Sequence, residues 1–214
     1  MAEKLKAQDW PYLNKYKNEN AKLDAPELGQ KRIVFMGDSI TEFWSTNDPD
    51  FFSGKPYINR GISGQTTPQM LVRFRADVIA LQPAVVVILA GGNDIAGNTG
   101  QATLEMIINN IISMAELAKA NQMEVILCSV LPAADFPWNP NQNPAEKMAA
   151  LNKIIKAYAN ANNIAYVDYY SAMVNEQKGL QSAYSDDGVH PNQLGYQVMG
   201  PLVEKAINQV LSKK

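Results

Sequence analysis

The sequence is poor in the residues that carry redox and metal chemistry, with one cysteine, Cys128, and one histidine, His190, in 214 residues. A single cysteine excludes an intrachain disulfide, and it removes thiolate-rich metal sites from consideration. Cys128 also closes the apolar run Val125-Ile126-Leu127-Cys128, where a thiol reads as an inert packing group. Positive charge is neither abundant nor clustered: 19 Lys and Arg stand against 21 Asp and Glu. A nucleic-acid partner is therefore not expected, nor is an anionic membrane surface. No run approaches the roughly 20 apolar residues of a membrane span. Residues Met1 to Lys6 lack the apolar core of a signal peptide. The expectation is a soluble chain, cytoplasmic as it stands and secreted or periplasmic if a leader was removed. Walker A and Gly-x-Gly-x-x-Gly patterns are missing too, which counts against a nucleotide or flavin carrier.

What is present is a regular alternation. Short apolar runs at 32–36, 57–59, 84–89, 124–128 and 165–168 are separated by longer segments of helical period. The first, third and fourth runs are nearly continuous in apolar, often β-branched residues, as parallel strands buried on both faces require. Helix punctuation lies between them. Thr67-Pro68 reads as an N-cap and first-turn proline of a helix to about Leu81, and Asn143-Pro144-Ala145-Glu146 opens another. Residues Ile107, Ile111, Met114 and Ala118 recur on one face of a third, and a last helix spans about 193–211. The pattern predicts an α/β protein, a three-layer α/β/α sandwich around a parallel sheet of about five strands. Its length suits one domain over 1–214, with 1–30 as an extension, read as an extra helix, packed on the outside.

Polar residues concentrate where such a sheet presents its carboxyl edge, the place where open α/β sheets bind ligands. They are Gly37-Asp38-Ser39-Ile40-Thr41, Gly61-Ile62-Ser63-Gly64-Gln65-Thr66, Gly91-Gly92-Asn93-Asp94 and Asp187-Gly188-Val189-His190-Pro191. Asp187, three residues before His190 in a turn, can accept the Nδ1 proton and leave Nε2 as a base. Ser39 ends the first strand run, where a following helix points N–H groups at developing charge; it is also a candidate helix cap. Gly64 can offer an unobstructed backbone N–H and Asn93 a side-chain amide to an oxyanion, or the two can merely shape a tight turn and an Asx turn.

In this order the four blocks resemble those of the SGNH (GDSL-type) hydrolases, in the branch with bacterial acylhydrolases and platelet-activating-factor acetylhydrolase catalytic subunits. The resemblance implies a flavodoxin-like fold and a lipase-like serine esterase that needs no metal or other cofactor. It implies Ser39, Asp187 and His190 as catalytic triad, and an oxyanion hole formed by Ser39, Gly64 and Asn93. Asp38 and Asp94 would support loops. Phe43 stands where many members have glycine, so a narrowed acyl pocket and a short, acetyl-like acyl group are expected. Trp44, Phe136 and Trp138 are further candidates to touch substrate, by stacking on a sugar or packing on an acyl chain, with core or loop packing an equal reading of each. The leaving group, small or carbohydrate-linked, and the oligomeric state are left open. Rival readings are a lysophospholipase or thioesterase-type acylhydrolase and a silent carbohydrate-binding relative. An α/β-hydrolase is disfavoured because its Gly-x-Ser-x-Gly elbow is missing.

Overall fold

Alternation within the apolar runs decides the layers, because successive strand residues point to opposite faces. A computed structural model describes residues 9–212. Within them, strands β1 (Ile33–Gly37), β2 (Tyr57–Gly61), β3 (Val85–Leu89), β4 (Glu124–Cys128) and β5 (Ala165–Val167) form one parallel sheet in the order β2-β1-β3-β4-β5. Val34, Met36, Val86 and Ile88 face one layer, made by helices α3 (Thr67–Asp77), α5 (Leu104–Ala120) and α6 (Pro144–Ala161). Ile33, Phe35, Val85 and Val87 face the other, made by α2 (Ser39–Asn47), α7 (Tyr169–Met173) and α8 (Gln193–Leu211). The two remaining helices, α1 (Lys17–Asn20) and α4 (Gly92–Ile95), are single turns. The expected three-layer α/β/α sandwich with a flavodoxin-like strand order is what forms. No helix among the described residues is long and apolar enough to cross a membrane.

Register places the functional edge. Gly37 pairs with Gly61 on one side and Leu89 on the other, so the carboxyl ends of β2, β1 and β3 lie level. The chain leaves β1 for one neighbour and reaches the other only after β2, so these ends flank the topological switch point. Gly61 must be glycine for close approach: a Cβ there would lie 2.1 Å from the Glu42 nitrogen and 2.7 Å from the Asp38 oxygen.

Three local expectations are corrected. Thr66, not Thr67, caps α3; its N–H donates to the Gln69 side chain at 3.0 Å in a capping box, and Thr67 is already helical. That helix ends at Asp77, and a separate 3-10 turn covers Ile79–Leu81. Asn143 makes no side-chain cap, because its left-handed backbone (φ 49°) replaces the extended conformation a capping residue adopts.

The expected extra helix of 1–30 reduces, over the described residues from 9 onward, to α1 and flanking turns; residues 1–8 lie outside the description. This segment is tied to the edge of the sheet. Gln65 and Gln69 donate to the carbonyls of Pro11 and Trp10, and the Tyr16 hydroxyl donates to the Gly61 carbonyl.

Candidate active site

Ser39 is the first residue of α2, two residues past the end of β1, and is buried. Asp38 is the cap, accepting from the Ile40 N–H at 3.0 Å, so Ser39 is free of the capping task. The loop before α8, a helix of the same layer as α2, brings His190 Nε2 to 2.9 Å from Ser39 Oγ. His190 Nδ1 lies 2.7 Å from Asp187 Oδ2. The loop is built to hold that pair. Asp187 Oδ1 accepts the backbone N–H groups of Val189 at 2.8 Å and His190 at 2.7 Å, and Ser185 Oγ donates to the His190 carbonyl at 2.7 Å. Gly188, with φ 78°, makes the turn between them.

The electrostatics follow from these contacts. Partial burial works to raise the Asp187 carboxyl, but hydrogen bonds from the His190 ring and the two backbone N–H groups outweigh it and hold it at about 2. An ionised Asp187 can only accept, so Nδ1 carries the ring proton and Nε2 accepts from the Ser39 hydroxyl. Burial pushes the neighbouring Asp38 carboxyl up to about 6. Asp94 is raised by burial as well, against bonds from Thr67. Its carboxylate takes the Thr67 N–H and hydroxyl and pins the start of α3, outside the Ser39–His190–Asp187 chain.

Three N–H donors border one open cleft of about 280 Å³, lined by Ser39, Phe43, Ser63, Gly64, Asn93, Asn98, Trp138 and His190. The Ser39 N–H is in the first turn of a helix, where no intrahelical acceptor exists. Gly64 (φ 77°) sits in the loop after β2, and its N–H makes no hydrogen bond among the described residues. Asn93 Nδ2 donates one proton to the Gln65 carbonyl at 3.1 Å and keeps the second.

A second, narrower space opens behind Ser39. It measures about 30 Å³, and its walls include Leu89, Ala90, Val130, Leu131, Phe136, Met148 and Val189.

The four aromatic candidates separate. Phe136 is buried in the wall of the narrow pocket. Trp138, packed on Phe136, is 45% exposed and touches both spaces. Phe43 borders the open cleft, its ring 5.4 Å from that of His190, and is not among the residues lining the narrow pocket. Trp44 is not brought to the site. It is 2% exposed and stacks on Phe51 and Tyr196 in the core beneath α2. Helical spacing explains both positions: Phe43 is one turn from Ser39 on the same face, and Trp44 is turned away to the sheet. Sequence reasoning missed two supporting residues. Buried Arg73 holds the Gly37 carbonyl at 3.0 Å and the Gln65 side chain at 2.5 Å, beneath the site. Asn98 links Trp138, Asn93 and Gly64. Neither falls in a recognisable motif.

A serine, an imidazole base, an orienting carboxylate and clustered N–H donors at the switch point of an α/β sheet define the layout of an acyl-transfer site. The profile of the GDSL-like lipase/acylhydrolase family matches residues 35–198, and the chain belongs to that family of carboxylic ester hydrolases. A GDSL-like lipase of Bacteroides thetaiotaomicron has 52% sequence identity, with a TM-score of 0.91 over 94% of this chain and 98% of that one. The esterase TesA of Pseudomonas aeruginosa is 33% identical over 63% of this chain and 60% of its own length. An acetylxylan esterase of Xylanibacter ruminicola is 26% identical over 86% of this chain. The chain spans only 60% and 45% of the lengths of these two curated relatives.

Proposed function

We propose that this protein is a serine esterase that cleaves short-chain acyl esters, acetyl esters foremost, through an acyl-enzyme. The carrying observation is the continuous chain from Ser39 Oγ to His190 Nε2 at 2.9 Å and from His190 Nδ1 to Asp187 at 2.7 Å. His190 takes the Ser39 proton as Oγ attacks the ester carbonyl, and the N–H groups of Ser39 and Gly64 with the Asn93 amide receive the oxyanion. The alcohol departs with the proton from His190. Water, deprotonated by the same imidazole, then releases the acid and restores the serine.

The narrow pocket supports the short acyl group. Its volume of about 30 Å³ admits a methyl and leaves no room for a long chain between Phe136 and Met148. The open cleft suits the alcohol, and Trp138 and Phe43 at its border give a flat apolar surface to a bulky leaving group. The kinship with an acetylxylan esterase agrees with an acetyl group on a carbohydrate. A lysophospholipase or thioesterase would need a longer acyl channel.

The test is turnover of para-nitrophenyl esters from acetate to decanoate by wild type and Ser39→Ala. Acetate should be preferred, and the variant should lose on the order of a million-fold in kcat. Undiminished turnover by Ser39→Ala would refute the assignment, and a wild type inert on every ester would favour a silent carbohydrate-binding role.

A further inference from the structure

We propose that Asn98 is a positioning residue for the oxyanion hole, fixing both the Asn93 amide and the Gly64 peptide. The proposal rests on the serine-esterase reading. Asn98 lies just past α4, four residues beyond the Gly-Gly-Asn-Asp block, and its side chain makes three hydrogen bonds. Its Nδ2 donates to Asn93 Oδ1 at 2.9 Å and to the Gly64 carbonyl at 3.2 Å. Its Oδ1 accepts from Trp138 Nε1 at 3.1 Å.

The direction of this chain is set at one end. An indole N–H can only donate, so the Asn98 oxygen must face Trp138 and its NH2 must face the other way. That NH2 in turn demands an acceptor, which turns the Asn93 oxygen toward Asn98. The Asn93 NH2 is then left to the Gln65 carbonyl and to the cleft, where an oxyanion needs it. The same NH2 of Asn98 grips the Gly64 carbonyl, which fixes the plane of the peptide on that side of the glycine. Gly64 has φ 77°, and nothing but Asn98 Nδ2 lies within 4 Å of where its Cβ would be. An otherwise loosely held glycine thus gains an anchor. The backbone repeats the link, since the Asn98 N–H donates to the Asn93 carbonyl at 3.0 Å. Asn98 is exposed where it lines the cleft, so its bonds compete with water.

A carboxylate has the same shape and cannot donate, so Asn98→Asp should disorder both partners. Removing an oxyanion donor costs about 100- to 1,000-fold in kcat, and misplacing one should cost a fraction of that, about 10- to 30-fold. The loss should fall on kcat, with KM changed less than about 3-fold, because the donors meet the oxyanion only in the transition state. Trp138→Phe, which keeps an aromatic ring and removes the N–H, should lower kcat in the same sense by a smaller factor. The decisive measurement is the cycle with Asn93→Ala: once Asn93 has lost its amide, Asn98→Asp should cost about 3-fold or less, the residue of its Gly64 contact. An equal loss in both backgrounds would overturn the proposal, as would full activity of Asn98→Asp alone. Failure of the underlying reading looks different, since Ser39→Ala would then keep its turnover.

Discussion

In the proposed esterase the narrow pocket takes the acyl group, and Phe136 in its wall should set acyl-chain selectivity. Phe136 is 1% exposed, packs on Trp138 with ring centroids 5.1 Å apart, and closes a space of only about 30 Å³ behind Ser39. An acetyl methyl fits there. A butyryl group carries two further methylenes, which would have to displace packed side chains. Phe136→Ala removes that obstruction. Each methylene newly accommodated in apolar surroundings contributes about 0.8 kcal/mol, so two contribute about 1.6 kcal/mol. The butyrate-to-acetate ratio of kcat/KM should therefore rise roughly 15-fold.

The truncation also removes a buried ring, at about 3–5 kcal/mol of stability. A thermal melt must first show a folded variant, and the milder Phe136→Leu should give an intermediate shift if Phe136→Ala fails. The assay is kcat/KM on para-nitrophenyl acetate, propionate, butyrate and hexanoate. Phe43→Ala is the contrasting variant, because Phe43 borders the open cleft and leaves the narrow pocket untouched. The reasoning fails if folded Phe136→Ala keeps the wild-type profile, or if Phe43→Ala is the variant that shifts it.

Two more expectations follow from the carboxylates. Asp187→Asn cannot hold the imidazole with Nδ1 protonated, so kcat for para-nitrophenyl acetate at neutral pH should fall by up to about 10,000-fold. Asp38 is fully buried with its carboxyl raised to about 6 from 3.8, so in the interval between those values the folded state binds the proton that the unfolded state releases. Stability relative to Asp38→Asn should therefore increase as pH falls from 7 to about 4, by about 2 kcal/mol, and urea unfolding at several pH values reads it. A gap between the two proteins that does not change with pH would refute it. Asp187 has the opposite sign: held at about 2, it contributes stability above its ordinary range that is lost as pH falls through about 2.

Strands β1, β3 and β4 were legible because burial on both faces forces unbroken apolar runs, and β4 falls where its run of five residues lies. Helix ends were less legible because neighbouring residues compete for one cap. Thr66 and Thr67 are chemically alike, and the choice is made by Gln69 reaching back to Thr66 and by Asp94 taking Thr67 from another element. No local rule contains that second contact. Three of the four polar blocks were legible for a related reason: each follows a strand end, and the sheet brings those ends to one edge, whereas the block Asp187 to Pro191 lies in the loop before α8. Trp44 could be read either as a substrate contact or as a packing residue, and the helical angle between positions 39 and 44 turns it into the core. Arg73 and Asn98 act through carbonyls and amides distant in sequence, and such partners exist only once the sheet has formed.

The topology also explains which parts of the site are rigid. Ser39 follows β1, Gly64 follows β2 and Asn93 follows β3, three strands locked in register at Gly37, Gly61 and Leu89. The strand ends from which the proposed nucleophile and oxyanion donors project are therefore placed by the ladder of backbone hydrogen bonds, which a single surface substitution does not disturb. His190 has no strand behind it. It depends on the loop 185–191, closed by the Ser185–Pro191 bridge and by the bonds around Asp187, and on Asn192 capping α8 at Gly195. Preorganisation of the base is thus a property of one carboxylate and a short loop, and that of the oxyanion donors a property of the sheet. Substitutions in the loop should degrade proton transfer selectively, whereas the oxyanion hole is vulnerable only where a side chain rather than a strand does the holding, at Asn93 and Asn98.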